Sequence, residues 1–144
     1  MSTEHVESEV ERRARYAAKD VTDKLGLKAG MAVRMIGKTD RDLARKVRAK
    51  VGRPFVTVQT QADVVLYWPQ TWEEITPTLR QLKTRIAPNG GIWVISYKKD
   101  MGEPYLPDTL LIPLGLAAEL VDNKICSVSE TQSAMRFVIR RSDR

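Results

Sequence analysis

The sequence predicts an α/β domain: a mostly parallel β-sheet that ends in an antiparallel hairpin, with helices on both faces. Three observations predict it. Apolar runs of strand length (MAVRMIG, ADVVLYW, IWVISY) alternate with amphipathic helical stretches, the pattern of strands joined by helical crossovers. ADVVLYW is apolar at almost every position, as a strand buried on both faces requires. The C-terminal VDNKICSVSETQSAMRFVIRR reads as two strands joined by a tight turn, and so short a connection joins antiparallel neighbours.

The 144 residues suffice for one domain with one substantial core. Residues 1–19 are expected to form a charged helical extension and 20–144 a single α/β domain. Over 3–25, Val6, Val10, Ala14, Ala17, Val21 and Leu25 mark a thin apolar stripe, and Gly26 suits the helix end. Acidic residues come early in this stretch and basic ones late, in the sense that complements the helix dipole. The stripe is weak before Ala14, so this part projects, frays, or self-associates with a second chain.

A first strand is expected over 31–37, although Arg34 is awkward in a strand buried on both faces. The helix RDLARKVRAKVG follows, with Asp40 as N-cap and Leu43, Val47 and Val51 facing inward. FVTV, 55–58, has strand character but lies only three residues before ADVVLYW, 62–68. A parallel crossover needs about a dozen residues, so FVTV is antiparallel to its successor, a short edge piece, or outside the sheet. In TWEEITPTLRQLKTRIAPNGG, Trp72, Ile75, Leu79, Leu82 and Ile86 recur at helical spacing. Thr71 and Glu74 match a capping box; alternatively the helix starts at Thr76 with Pro77 as its first residue. Pro88, Asn89, Gly90 and Gly91 are expected to stop it before the strand IWVISY, 92–97. LPDTLLIPLGLAAEL reads as a helix interrupted by Pro113 and Gly115. The closing hairpin turns around Glu130 to Ser133, with Met135, Phe137 and Ile139 on one face of its second strand. This order of elements is that of a Rossmann-like fold in its methyltransferase-like variant.

DVTDKLGLKAG at 20–30, ADVVLYW, APNGGIWVISYKK at 87–99 and LVDNKICSVSETQSAMRFVIRR at 120–141 resemble one small bacterial family of unknown function, about 140 residues long and methyltransferase-like in topology. The most specific piece is LVDNKICSVSET, where Asp122, Asn123, Lys124 and Cys126 stand in that family's order, with no known role. Two departures are Gln132, where relatives often carry tryptophan, and Pro113, where they carry a continuous helix. The resemblance implies a fold and no activity.

The chemistry is sparse. In VRMIGKTDRD, the stretch after the first strand, Gly37 is the only glycine. It cannot supply the glycine-rich turn that lets a backbone approach a nucleotide cofactor closely. FVTVQTQ offers no acidic residue at the end of a second strand. No cofactor is therefore expected. The one histidine, His5, and the one cysteine, Cys126, give neither a nucleophile–base pair nor zinc spacing. Cys126, in an apolar strand, reads as a buried structural thiol. Asp63 and Asp122 read as capping or solvated carboxylates. No catalytic residue is assigned, and the reading leans away from an enzyme.

Location remains. Ligands of open α/β sheets bind beyond the carboxyl ends of the strands, where this chain gathers Lys38, Thr39, Trp68, Gln70, Tyr97, Lys98 and Lys99 as a candidate cleft for an anionic, partly planar group. Arg41, Arg45 and Arg48 share one exposed helix face that could follow a phosphate backbone, though Asp40 and Asp42 dilute it. The net charge of +6 suits anionic partners. The leading expectation is a non-catalytic Rossmann-like domain that binds a small anionic ligand or a protein partner. The alternatives are a reduced S-adenosylmethionine-dependent methyltransferase-like enzyme and, less favoured, a basic nucleic-acid-associated module. No apolar run approaches the ~20 residues that span a bilayer, the N-terminus is unlike a signal peptide, and a lone cysteine fits a reducing compartment. A cytoplasmic protein without membrane contact is expected.

Overall fold

The computed structural model describes residues 20–144. The expected extension, 1–19, lies outside them. The first described helix, α1 (Val21–Lys24), begins at Asp20, whose backbone is extended and whose carboxylate accepts from the Thr22 amide at 2.8 Å, so the single helix expected over 3–25 does not run through Asp20. Then follow β1 (Val33–Gly37), α2 (Arg41–Val51), β2 (Ala62–Trp68), α3 (Ile75–Lys83), β3 (Ile86–Tyr97), α4 (Asp108–Ala117), β4 (Leu120–Ser127) and β5 (Gln132–Ile139).

The five strands form one sheet in the order β1-β2-β3-β5-β4. β1, β2 and β3 are mutually parallel, and β5 runs antiparallel to both β3 and β4. Because side chains alternate across a strand, each face has its own core. On one, α1 and α2 bring Leu25, Leu43 and Val47 against Val64, Leu66, Trp93 and Ile95. On the other, α3 and α4 bring Ile75, Leu79 and Leu111 against Val65, Val94, Met135 and Phe137. The mostly parallel sheet with an antiparallel ending and helices on both faces is the fold class expected.

Local details correct several expectations. Arg34 is tolerated because β1 is an edge strand whose central residues are only half-buried. FVTV lies outside the sheet, the third of the alternatives left open: Val56 N–H donates to the Val33 carbonyl at 2.8 Å and the chain then turns at Thr57–Thr60. α3 starts at Ile75, so Pro77 falls in its first turn, where an amide has no intrahelical partner to lose. Trp72 precedes this helix and is 50% exposed, and the buried stripe is Ile75, Leu79 and Leu82. Ile86 opens β3 rather than closing the helix. Ala87 to Gly91 also belong to β3 and bulge out of register, since Ala62 pairs with Ile86 but Val64 with Gly91. Proline and glycine thus mark a bulge where the sequence suggested a stop. α4 runs unbroken through Pro113, which sits on its exposed side, and Gly115 presses against the buried Phe137 ring. The hairpin turn covers 128–131, slightly earlier than expected: the amides of Val128 and Ser129 donate to the Gln132 carbonyl.

Candidate functional site

The carboxyl ends of β1, β2 and β3 deliver three short segments to one edge of the sheet. The first is the turn from Gly37 to Asp40. Gly37 pairs in register with Trp68 and has φ +101°. A Cβ there would overlap the Trp68 carbonyl oxygen and meet Trp68 Cβ at 3.0 Å. The glycine is required by β2, the strand beside it. The Asp40 carboxylate accepts from the amides of Asp42 at 2.7 Å and Leu43 at 3.1 Å, which starts α2 immediately after the turn.

The second segment follows β2. Trp68 and Pro69 are buried, and Gln70 emerges. Glu74 holds this loop: its carboxylate accepts from the Tyr67 hydroxyl at 2.8 Å and from the amides of Gln70 at 2.8 Å and Thr71 at 3.0 Å. Half of the expected capping box is therefore present, but it braces the loop instead of the helix. Partial burial raises the Glu74 carboxyl, but the bonds from Tyr67, Thr71 and Gln70 outweigh it and hold the group below its ordinary value. Burial in turn pushes the Tyr67 phenol well above its usual range. Among the described residues the buried Trp68 indole N–H has no hydrogen-bond partner, a costly arrangement for a donor.

The third segment follows β3. Tyr97 N–H donates to the Pro104 carbonyl at 3.1 Å, and a Cβ at Gly102 would meet the Tyr97 ring at 2.7 Å. The loop 98–107 is thereby folded back over the end of the strand. Together the three segments enclose a cleft of about 240 Å³ lined by Lys38, Trp68, Gln70, Tyr97, Glu103 and Gln132 among others.

Of the seven residues expected there, Lys38, Trp68, Gln70 and Tyr97 are brought together. Thr39 instead donates to the Gly37 carbonyl at 3.3 Å, within its own turn. Lys98 is tied to the hairpin, with its ammonium on the Ser127 hydroxyl at 2.8 Å and its amide on the Thr131 carbonyl at 2.8 Å. Lys99 is exposed and does not line the cleft. Glu103 and Gln132 were missed because one reaches the cleft only through the folding back of the loop after β3 and the other from the closing hairpin. An acidic residue does line the cleft, from the loop after β3 and not from the end of a second strand, and the one legible signal was Gln132 as a departure from the resembled family.

Arg41, Arg45 and Arg48 are exposed on α2, but Arg45 and Lys46 both pair with Asp42, and Lys50 reaches Asp23 at 2.9 Å. Asp122, Asn123 and Lys124 lie exposed on the edge strand β4. Cys126 is buried, and burial pushes its thiol up. Asp63 accepts from the Ala32 amide at 2.8 Å. Among the described residues no cluster of histidine, cysteine and carboxylates could hold a metal, and no helix is long and apolar enough to cross a membrane. His5 lies outside them.

The fold has well-defined counterparts. The chain is similar to the crystal structure of an S-adenosylmethionine-dependent methyltransferase from Aquifex aeolicus, with TM-score 0.60 and 14% identity over 81% of this chain and 86% of that one. A structure described as a putative methyltransferase from Thermoplasma acidophilum gives TM-score 0.57 at 9% identity, over 80% and 70%. CalO1, a methyltransferase in calicheamicin biosynthesis solved in its SAH-bound form, gives 0.61 at 14% identity over 90% of this chain and 55% of its own. No protein-family model matches the sequence, and no curated protein matches it. At these identities the likeness shows a methyltransferase-like fold. It also corrects the leading expectation of a non-catalytic domain for an anionic ligand or a partner. The structures that share this sheet are described as methyltransferases, and they favour the enzyme alternative.

Proposed function

We propose that this chain is a reduced S-adenosylmethionine-dependent methyltransferase-like enzyme, with the cleft at the carboxyl ends of β1, β2 and β3 as its donor site. One observation carries the reading: the cleft opens at the carboxyl ends of three parallel strands, where ligands of such sheets bind, in a fold shared with a methyltransferase described as S-adenosylmethionine-dependent and with another solved with SAH bound. The residues present suit a nucleoside. Glu103 is a carboxylate able to accept from paired ribose hydroxyls, and the amides of Gln70 and Gln132 can read a base edge. Tyr97 offers an aromatic wall. Lys38 supplies a positive charge at the rim for the donor's carboxylate. The cleft is smaller than the ~300 Å³ at which drug-sized ligand pockets begin, so it takes the nucleoside end and leaves the rest over the rim at Lys38. The donor supplies an electrophilic methyl group; these residues hold and orient it. Membership of the resembled bacterial family and a cytoplasmic location belong to the same reading.

The test is calorimetric titration of the full chain with S-adenosylhomocysteine and S-adenosylmethionine. One saturable site is expected, weakened about tenfold or more in Glu103→Gln, because a hydrogen bond to a charged group contributes roughly 1.5–3 kcal/mol. Absence of saturable binding by either compound at millimolar concentration would overturn the proposal.

A further inference from the structure

A second cavity lies at the opposite end of the sheet, near the amino ends of β2 and β3. We propose that this cavity, walled by Arg136, Lys124 and Lys28, binds the phosphate group of a small organic phosphate at a site separate from the donor cleft.

The argument starts from pairing. Lys124 on β4 stands directly opposite Arg136 on β5, and like charges opposite one another across a sheet repel. Neither has a hydrogen-bond or ion-pair partner among the described residues. Arg136 is also half-buried, so its charge is partly withdrawn from water without compensation. A third cation, Lys28, enters from the loop after α1. The one carboxylate on the wall, Asp63, already accepts from the Ala32 amide at 2.8 Å. Three cations thus face a shared space with one carboxylate that is partly engaged.

The space has been made for the guanidinium. The bulge at the start of β3 ends in Gly90 and Gly91, and a Cβ at Gly91 would sit 2.7 Å from Arg136 Cζ and 2.8 Å from Nη2. Only glycine lets Arg136 lie flat across β3 at that point, with no acceptor for its planar fork among the described residues. Such a fork matches a phosphate in two-pronged fashion. The cavity measures about 440 Å³ and its remaining wall includes Leu25, Met31 and Trp93. That volume lies within the ~300–1,000 Å³ typical of small-molecule sites, so there is room for an apolar body beside the phosphate.

Phenyl phosphate, titrated into the full chain, is the probe, with inorganic phosphate and sulfate at equal ionic strength as comparisons. One saturable site is expected that prefers phenyl phosphate to both inorganic ions. Arg136→Gln and Lys124→Gln should each weaken it about tenfold, the factor that 1.4 kcal/mol makes. Gly91→Ala, which displaces the guanidinium while leaving net charge unchanged, should weaken it as well, and Lys38→Gln should not. No saturable site, equal affinity for sulfate, or wild-type binding in folded Arg136→Gln would each overturn the proposal. Loss of S-adenosylhomocysteine binding alone sinks the donor site and leaves this one standing.

Discussion

Replacing Gly37 by alanine separates two reasons a glycine can stand at the end of a strand. If the residue is needed because β2 approaches closely, Gly37→Ala destabilises the fold whether or not any ligand is present. The backbone term comes from φ +101°, a region that costs a residue with a Cβ about 1–2 kcal/mol. The steric term comes from overlap with the Trp68 carbonyl oxygen, a backbone atom that cannot swing aside. Forcing apart a packed contact of this kind adds about 1–3 kcal/mol. Gly52 supplies the internal control: it also has positive φ, +71°, but nothing lies within 4 Å of a Cβ built there. Gly52→Ala therefore carries the backbone term alone. For a chain of this size roughly 3 °C of melting temperature corresponds to 1 kcal/mol. Gly37→Ala should melt about 10 °C below wild type and Gly52→Ala about 3–5 °C below, read by circular dichroism without ligand. Equal shifts in the two variants would refute the close-approach explanation of Gly37.

Two further outcomes follow from the same reasoning. The Glu74 carboxyl is held below its ordinary value by the Tyr67 hydroxyl and two amides, so its contribution is complete above the unfolded carboxyl range and is lost as pH falls through its folded value. The melting-temperature gap between wild type and Glu74→Gln should therefore be widest near neutral pH and close as pH drops below about 4; a gap independent of pH would contradict it. Pro113 lies in the exposed interior of α4, where proline is about 3 kcal/mol less favourable than alanine. Pro113→Ala should raise the urea midpoint by the equivalent of about 1–3 kcal/mol, and an unchanged midpoint would mean the helix already bends around the ring at no cost.

What the sequence made legible was local. Asp40 and the Leu43, Val47, Val51 stripe define α2 because capping and helical spacing operate within a few residues. ADVVLYW needed only its own apolar character to read as β2. What it hid depended on neighbours. Pro88, Asn89, Gly90 and Gly91 look like a stop, and only pairing with β2 turns them into a bulge. Trp72 kept helical spacing with Ile75 and Leu79, yet it lies before the helix begins and stays half in solvent. The cleft was half-visible for the same reason. Strand ends can be read along the chain, which found Lys38, Trp68, Gln70 and Tyr97, whereas Glu103 and Gln132 reach it through a folded-back loop and a hairpin. The resemblance carried the fold correctly and the activity not at all.

The position of β5 has a consequence for how the protein is made. The last strand of this sheet in chain order, β5, is an inner one, wedged between β3 and β4. Until it arrives, β4 has nothing to join and the apolar faces that Met135 and Phe137 will cover stay wet. A nascent chain halted at residue 131 holds four strands it cannot assemble into one sheet. Truncation before β5 should therefore yield a sticky fragment for quality control, not a slightly shortened working protein.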